Sequence, residues 1–444
     1  MKKPLVATIS KFPPYMSGHS FEAMNQGRAL YEITGYKHHE ITYHSDIYDK
    51  ATNYNHSPQL IRKAAHYLYV HRVKPVSSAK GKVLDGELTK AMIGKTINLI
   101  QKKGVNVLST FYIDPHAYIA NQAKLYADRI LGKRIITVNK AVGSDVLSSI
   151  GNHLTDGQGK FILLQLLERD LSFAVSKYTK DKVIEYAKAI LPPDIAGRIS
   201  ARLEVLYAPF DNEYFSKKNE SVITHLKKKL RIKPGSKIIS YFGRLFPEKG
   251  VDDLIRAYSL LKHDFPDSAL VIGGHGIELP KLKNLVKELK LQDIKFAGAV
   301  SDLEKKGIMQ MSDLGVIPTK PIRNFVETLC ISALEYQASG TILLTTDVGG
   351  VPEAAGKHSL YAKHSNPKDL AKNIAAVLSG RFNPLFIKQE GLMHAAKFNY
   401  LKITKQFMKK VIQKHEQKKP VRVTISPTFL LGSNLKPYGR RYKI

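Results

Sequence analysis

Short β-branched runs alternate with longer amphipathic stretches along this chain, and the alternation is completed twice. Runs at 5–10, 39–43, 105–110, 134–139, 172–176 and 203–207 read as strands in the first half, and runs at 237–242, 269–273, 294–297, 314–318 and 342–345 in the second. Helical periodicity fills most of the gaps between them. Strands that alternate with helices in this way build parallel sheets covered by helices, so the predicted fold class is α/β with two Rossmann-like units. With 444 residues, 43% of them hydrophobic and 24% charged, the chain has enough apolar surface for two separate cores.

The joints between units follow from turn chemistry. Pro209 to Glu213, a lysine-rich helical pattern and the turn Lys233-Pro234-Gly235-Ser236 place a hinge between the halves. The expected division is 1–210 for the first domain, 211–235 for the linker, 236–397 for the second domain, 398–415 for a helix that packs back on the first domain, and 416–444 for a basic tail. One strand-like run, 421–425, lies within that tail.

A formal net charge of +31 attracts an anionic partner: nucleic acid, an acidic lipid surface or a phosphorylated substrate. Between Lys402 and Lys443 the many cations meet one acid, Glu416; this reads either as a phosphate-seeking surface or as a solvated basic end. The single cysteine, Cys330, excludes an internal disulfide framework and a cysteine-built metal cluster, and it fits a cytoplasmic location. The apolar start is cut short by Lys11, Pro13 and Pro14, below the length of a signal peptide. No apolar run approaches the roughly 20 residues of a membrane-spanning helix.

In open parallel sheets, ligands bind beyond the carboxyl ends of the strands, so the loops after the second unit's strands are the place to look. The first, Phe242 to Gly250, leaves a strand and enters a helix; Gly243 permits close backbone approach, and Arg244 and Lys249 offer two positive charges to a pyrophosphate. It reads equally as a turn with surface cations. The second, Ile272 to Gly276, is a glycine-rich loop centred on Gly274, without the spacing of a dinucleotide fingerprint. The third runs from Glu327 into a helical pattern that stops at Gly340. It places the amides of Thr328, Leu329 and Cys330 at a helix N-terminus, where phosphate oxygens are held. Glu335 follows Glu327 by eight positions, about two turns of helix. A fourth loop, Thr346 to Glu353, follows the next strand and is suited to closing over a donor sugar.

Taken in order, these loops resemble the donor half of the GT-B glycosyltransferases, of the retaining family 4 type. The resemblance is carried by Gly243-Arg244 to Lys249, Gly273 to Gly276, Phe296 to Val300, the Glu327 and Glu335 pair, and Gly349 to Glu353, and covers 237–378. It implies two domains facing each other across a cleft. It implies catalytic roles for Arg244 and Lys249, which would neutralise a departing nucleotide diphosphate, and for Glu327, which would hold the donor sugar. Gly18, Gly243, Gly274, Val300, Thr328, Leu329, Cys330 and Glu335 would bind the donor, with Glu335 on the ribose and the backbone near Val300 facing the base. No metal and no further cofactor is implied, the UDP- or GDP-linked sugar being the substrate. A glycan, lipid-linked or other hydroxyl acceptor and peripheral contact with an acidic membrane are the implied partners.

The first half departs from the pattern. Its first loop, Tyr15 to Ser20, carries one glycine, Gly18, and the strand at 134–138 is followed by Asn139-Lys140 where relatives carry a histidine. His116 begins a helix after the preceding strand and is, with Asn139, the candidate for acceptor contact. Two other classes fit the same charges: a nucleic-acid- or polyanion-binding protein on a Rossmann scaffold, and an inactive glycosyltransferase-like scaffold. No stacking platform or base-reading helix stands out, so no specific nucleic acid is expected.

Overall fold

The computed structural model describes residues 3–12, 18–43, 57–74, 86–323 and 325–417. Two parallel sheets organise the chain. The first contains β1 (Val6–Ile9), β2 (His38–Tyr43), β3 (Leu68–Val73), β4 (Val107–Phe111), β5 (Ile136–Ala141), β6 (Leu171–Ala174) and β7 (Leu203–Val205) in the order β3-β2-β1-β4-β5-β6-β7. The second contains β8 (Lys237–Phe242), β9 (Ser268–Gly273), β10 (Ile294–Gly298), β11 (Leu314–Ile317), β12 (Ile342–Thr346) and β13 (Leu360–Ala362) in the order β10-β9-β8-β11-β12-β13. Two strands were not expected from the sequence, β3 and β13, and both lie at sheet edges. In each sheet the order reverses beside the first strand, between β1 and β4 and between β8 and β11. Those reversals open a crevice at the strand ends.

Alternation along the strands builds a core on each face of the first sheet. Val6 and Val107 point into one cluster while their neighbours Ala7 and Leu108 point into the other. The final described helix, Tyr400–Gln417, covers the first of these faces. Its Ile403, Phe407 and Val411 recur every four residues and pack with Val6, Val107, Ile136 and Val138. The end of the second half thus completes the core of the first.

The chain therefore crosses between the domains twice, and the two crossings are bonded together. The Phe210 amide donates to the Phe398 carbonyl (2.9 Å), and the Tyr400 amide donates to the Phe210 carbonyl (2.9 Å). Arg28 clamps the junction, paired with Asp211 at 2.7 Å and with its guanidinium 4.6 Å from the Tyr400 ring centroid. The segment expected as a linker contains two helices, Asn212–Ser216 and Glu220–Lys229. Ile223 and Leu226 of the second pack against Ile238, Val271 and Ile308, so this stretch belongs to the second core. Among the described residues no helix is long and apolar enough to cross a membrane. The tail from residue 418 onward lies outside the described residues.

The packing of the last helix gives a direct test. Phe407 is fully buried, so Phe407→Ala should lower the unfolding free energy in denaturant titration by about 3 kcal/mol or more. Lys405→Ala, at an exposed position of the same helix, should leave it nearly unchanged.

Candidate active site

The second domain's crevice is shaped by backbone contacts that only glycine permits. Gly274 has φ of 120°, and a Cβ there would lie 1.8 Å from the Gly243 carbonyl oxygen. Its amide donates to the Gly298 carbonyl (2.8 Å), and the Leu245 amide donates to the His275 carbonyl (2.9 Å). The loops after β8, β9 and β10 are thereby locked side by side. Val300, just beyond, is half-buried against the cluster around Ile238 and Val271.

At the reversal between β8 and β11, the short 3₁₀ turn Pro247–Lys249 ends at Gly250, with φ of 64°. A side chain at Gly250 would strike the Pro318 carbonyl, so this turn and the end of β11 touch directly. The result brings the Lys249 ammonium onto the Glu327 carboxylate as an ion pair. Glu327 is held from behind, its carbonyl accepting from the Gly350 amide at 2.8 Å. Arg244 stands at the mouth, half exposed, with its guanidinium 5.0 Å from the Phe246 ring centroid and 3.9 Å from Glu248. The sequence-predicted Arg244, Lys249 and Glu327 thus share one crevice.

The helix after Glu327 begins later than expected. It spans Ile331–Ala338 with Cys330 as N-cap. Thr328 and Leu329 precede it outside the helix, so the amides at its N-terminus belong to residues following Cys330, and Glu335 lies in its second turn. Thr328 faces the first domain: its hydroxyl donates to the Val142 carbonyl (3.1 Å) and its carbonyl accepts from the Ser176 hydroxyl (2.6 Å). A side chain at Gly143 would collide with that hydroxyl. Burial pushes the Cys330 thiol up to about 12, so it is a protonated wall group.

Glu335 is buried and paired with Lys305 at 2.7 Å. Burial alone would lower the Lys305 ammonium, but Glu335, with Asp302, outweighs it and holds it above its ordinary value. Lys305 carries no motif and was missed in the sequence. Glu353 lies in the segment that follows β12. Its carboxylate accepts from the Lys177 amide (2.7 Å), the Tyr178 amide (2.8 Å) and the Tyr207 hydroxyl (3.1 Å). It caps the helix Lys177–Ile190 across the domain boundary.

The first domain's crevice lies between the ends of β1 and β4. Gly18 opens the helix Gly18–Thr34, while Tyr15, Met16 and Ser17 of the expected phosphate loop lie outside the described residues. His116 and Asn139 do not line the crevice. His116 is 1% exposed, with Nδ1 hydrogen-bonded to the Phe111 carbonyl, and burial lowers its pKa to about 4. Asn139 is 0% exposed and donates through Nδ2 to the Thr110 hydroxyl and the Tyr112 carbonyl, both at 2.9 Å. Both support the floor from below. The strand alternation instead brings up Lys140, whose ammonium pairs with Glu22 and donates to the Tyr207 carbonyl at 2.8 Å.

With this geometry in place, residues 222–393 match the family model described as Glycosyl transferases group 1. The match takes in all six strands of the second sheet. Similar curated proteins include D-inositol 3-phosphate glycosyltransferase of Corynebacterium urealyticum, 28% identical over 47% of this chain and 50% of that protein. They also include N-acetyl-alpha-D-glucosaminyl L-malate synthase of Bacillus anthracis, 25% identical over 59% and 62%. The chain spans about half the length of the first of these relatives and somewhat more of the second. Among solved structures, Anabaena Alr3699/HepE in complex with UDP is similar, with a TM-score of 0.69 and 15% identity over 92% of this chain and all of that one. Sucrose-phosphate synthase of Thermosynechococcus elongatus gives a TM-score of 0.67 and 17% identity over 94% of this chain. The fold is GT-B.

The buried histidine beneath the first domain's crevice gives a pH prediction. The folded-state pKa of His116, about 4, lies below the unfolded value of about 6.5, so in that window the unfolded chain binds a proton that the native chain refuses. Stability should fall as pH drops from about 6.5 to about 4. His116→Gln should flatten part of that slope in urea titrations at several pH values; an unchanged slope would show that another group titrates.

Proposed function

We propose that this chain transfers a sugar from a nucleotide-sugar donor, UDP- or GDP-linked, to the hydroxyl of a saccharide, lipid-linked or other acceptor, with retention of anomeric configuration. One observation carries the reading: Lys249 and Glu327, opposite charges from two separate loops, meet at the strand-order reversal of a group 1 domain beside Arg244. A half-buried ion pair contributes little to stability, because desolvation of both charges offsets their attraction. Its place at the crevice is better accounted for by a ligand that carries both kinds of partner.

A nucleoside diphosphate sugar does so. Its diphosphate competes for Lys249 and Arg244, and the released Glu327 carboxylate accepts hydrogen bonds from the sugar hydroxyls. Glu335 takes the ribose, Gly243 and Gly274 allow the backbone to approach, and the segment from Thr328 to Cys330 lines the phosphate side. Val300 lies toward the base. As the bond from the anomeric carbon to the leaving phosphate oxygen breaks, the acceptor oxygen bonds to the same face and its proton passes to the departing phosphate. Catalysis is then charge stabilisation of the leaving group and alignment of the acceptor. The Anabaena structural neighbour has been captured with UDP-glucose, which favours UDP as the first base to test. The net charge of +31 supports peripheral contact with an acidic membrane surface on its cytoplasmic side.

The test is thermal stability in the presence of UDP, GDP, ADP and their common sugar conjugates. At a hundredfold excess over Kd, a ligand that binds the native state adds about 2.7 kcal/mol. One nucleotide should raise the midpoint of the wild type. Lys249→Ala, Arg244→Ala and Glu335→Ala should each weaken its binding by about tenfold or more, as expected for charge-assisted contacts. Stabilisation by heparin and by none of the nucleotides would replace this reading with polyanion binding.

A further inference from the structure

The first domain contains a buried charge relay that the donor chemistry leaves without a role. Lys140, near the end of β5, is 4% exposed, and Glu22, in the first turns of the helix Gly18–Thr34, is 1% exposed; the two form an ion pair. Burial alone would raise the Glu22 carboxyl, but Lys140 more than offsets this, with His19 adding to it, and the group is held below the ordinary carboxylate range. One carboxylate oxygen is engaged by Lys140. The other, Oε2, is sealed from solvent and has no hydrogen-bond partner within bonding distance.

Facing it is a second atom in the same condition. His19 Nδ1 is also sealed and without a hydrogen-bond partner, and it lies 3.6 Å from Glu22 Oε2. Two unmatched buried polar atoms at that distance satisfy each other when Nδ1 bears the proton, and a small rotation of either side chain closes the gap to a hydrogen bond. The ring is not enclosed as a whole. The His19 side chain keeps 26% of its surface open, and Nε2 is absent from the sealed atoms. The Tyr112 ring stands edge-on to it, with centroids 5.2 Å apart.

The position of this ring is specific. His19 follows β1 and Tyr112 follows β4, so both stand where the strand order of the first sheet reverses. Two residues on, Phe21 lies 5.1 Å from the ammonium of Lys305, the partner of Glu335 in the second domain. The helix turn that bears His19 therefore faces the donor half across the cleft.

We infer that His19 binds the acceptor: the Lys140–Glu22 pair fixes the tautomer with the proton on Nδ1, and Nε2 accepts a hydrogen bond from an acceptor hydroxyl other than the attacking one, whose proton goes to the departing phosphate. The role rests on the proposed transfer activity and adds a specific acceptor contact to it. It also accounts for Lys140, which stands where the family pattern led to the expectation of a histidine. The imidazole comes from the first helix instead, and the lysine sets its orientation through Glu22. Glu22 and Lys140 are positioning residues, while His19 touches substrate.

Two measurements on the full chain test this. Nitrogen-15 imidazole spectra, with the His19 signals assigned by their loss in His19→Gln, should show the tautomer protonated at Nδ1; the tautomer protonated at Nε2 overturns the inference. In kinetics with UDP-glucose and GDP-mannose as donors and monosaccharides and their phosphates as acceptors, His19→Ala should lower kcat/KM for the acceptor by about tenfold or more. The Kd for UDP or GDP should stay within about twofold, since the ring does not touch the donor. His19→Gln, whose amide reaches the position of Nε2, should recover part of the loss. Unchanged acceptor kinetics in His19→Ala, or an equal loss of nucleotide affinity, overturns the acceptor role while leaving the transferase reading intact. A wild type that binds none of the nucleotides overturns both.

Discussion

The hydrogen bonds between Phe210 and the Phe398 to Tyr400 segment hold the two halves of this molecule in one geometry. A chain that crossed once would let the second domain swing about a single strand. Because the chain returns and the two crossings pair, the carboxyl ends of both sheets are kept facing one another. The return is secured on the far side by Phe407 and its neighbours, buried under the first sheet. Glu353 adds a tie from the second domain to the helix Lys177–Ile190, and Thr328 adds another to the Val142 carbonyl. The crevice thus has a floor built from both domains before any ligand arrives.

Within that crevice, charge is arranged in opposed pairs. Lys249 meets Glu327, Lys305 meets Glu335, and Lys140 meets Glu22, while Lys320 is held by Asp252 and Asp253 at 2.8 and 2.9 Å. Apolar residues of equal volume would serve stability as well, since the desolvation of such pairs consumes most of their attraction. Clustering of this kind at strand-order reversals is what a site for an anionic, hydroxyl-rich ligand requires. The excess of positive charge on the rest of the chain draws such ligands toward the molecule but does not define the site.

What could be read from the sequence was what local chemistry determines. Eleven of the strands appear as hydrophobic runs, whereas β3 and β13 are edge strands: His71 and Arg72 break the apolar pattern of β3, and β13 is three residues long. Lys249 was identified through the glycine-bearing loop Phe242 to Gly250, and Glu327 through its spacing to Glu335 ahead of a helical pattern and through the family resemblance. The start of the helix at Ile331 was placed too early because Thr328 looks like a helix residue until its contact with the first domain is known. His116 and Asn139 were assigned to the acceptor because their burial is a tertiary fact that no local pattern records. Lys305, Lys140 and Glu22 have no local signature at all; each is defined by a partner at least 30 positions away.

The central claim is that a nucleotide sugar sits at the β8 and β11 reversal with its diphosphate on Lys249 and Arg244. A crystal structure of the chain with UDP-glucose, and one with GDP-mannose, would test it directly. The account predicts that a bound diphosphate breaks the Lys249 and Glu327 pair, that the ribose lies against Glu335, and that the sugar points toward His19 across the cleft. A nucleotide bound elsewhere, or one in this crevice with the Lys249 and Glu327 pair intact and no phosphate oxygen against Lys249, would contradict it.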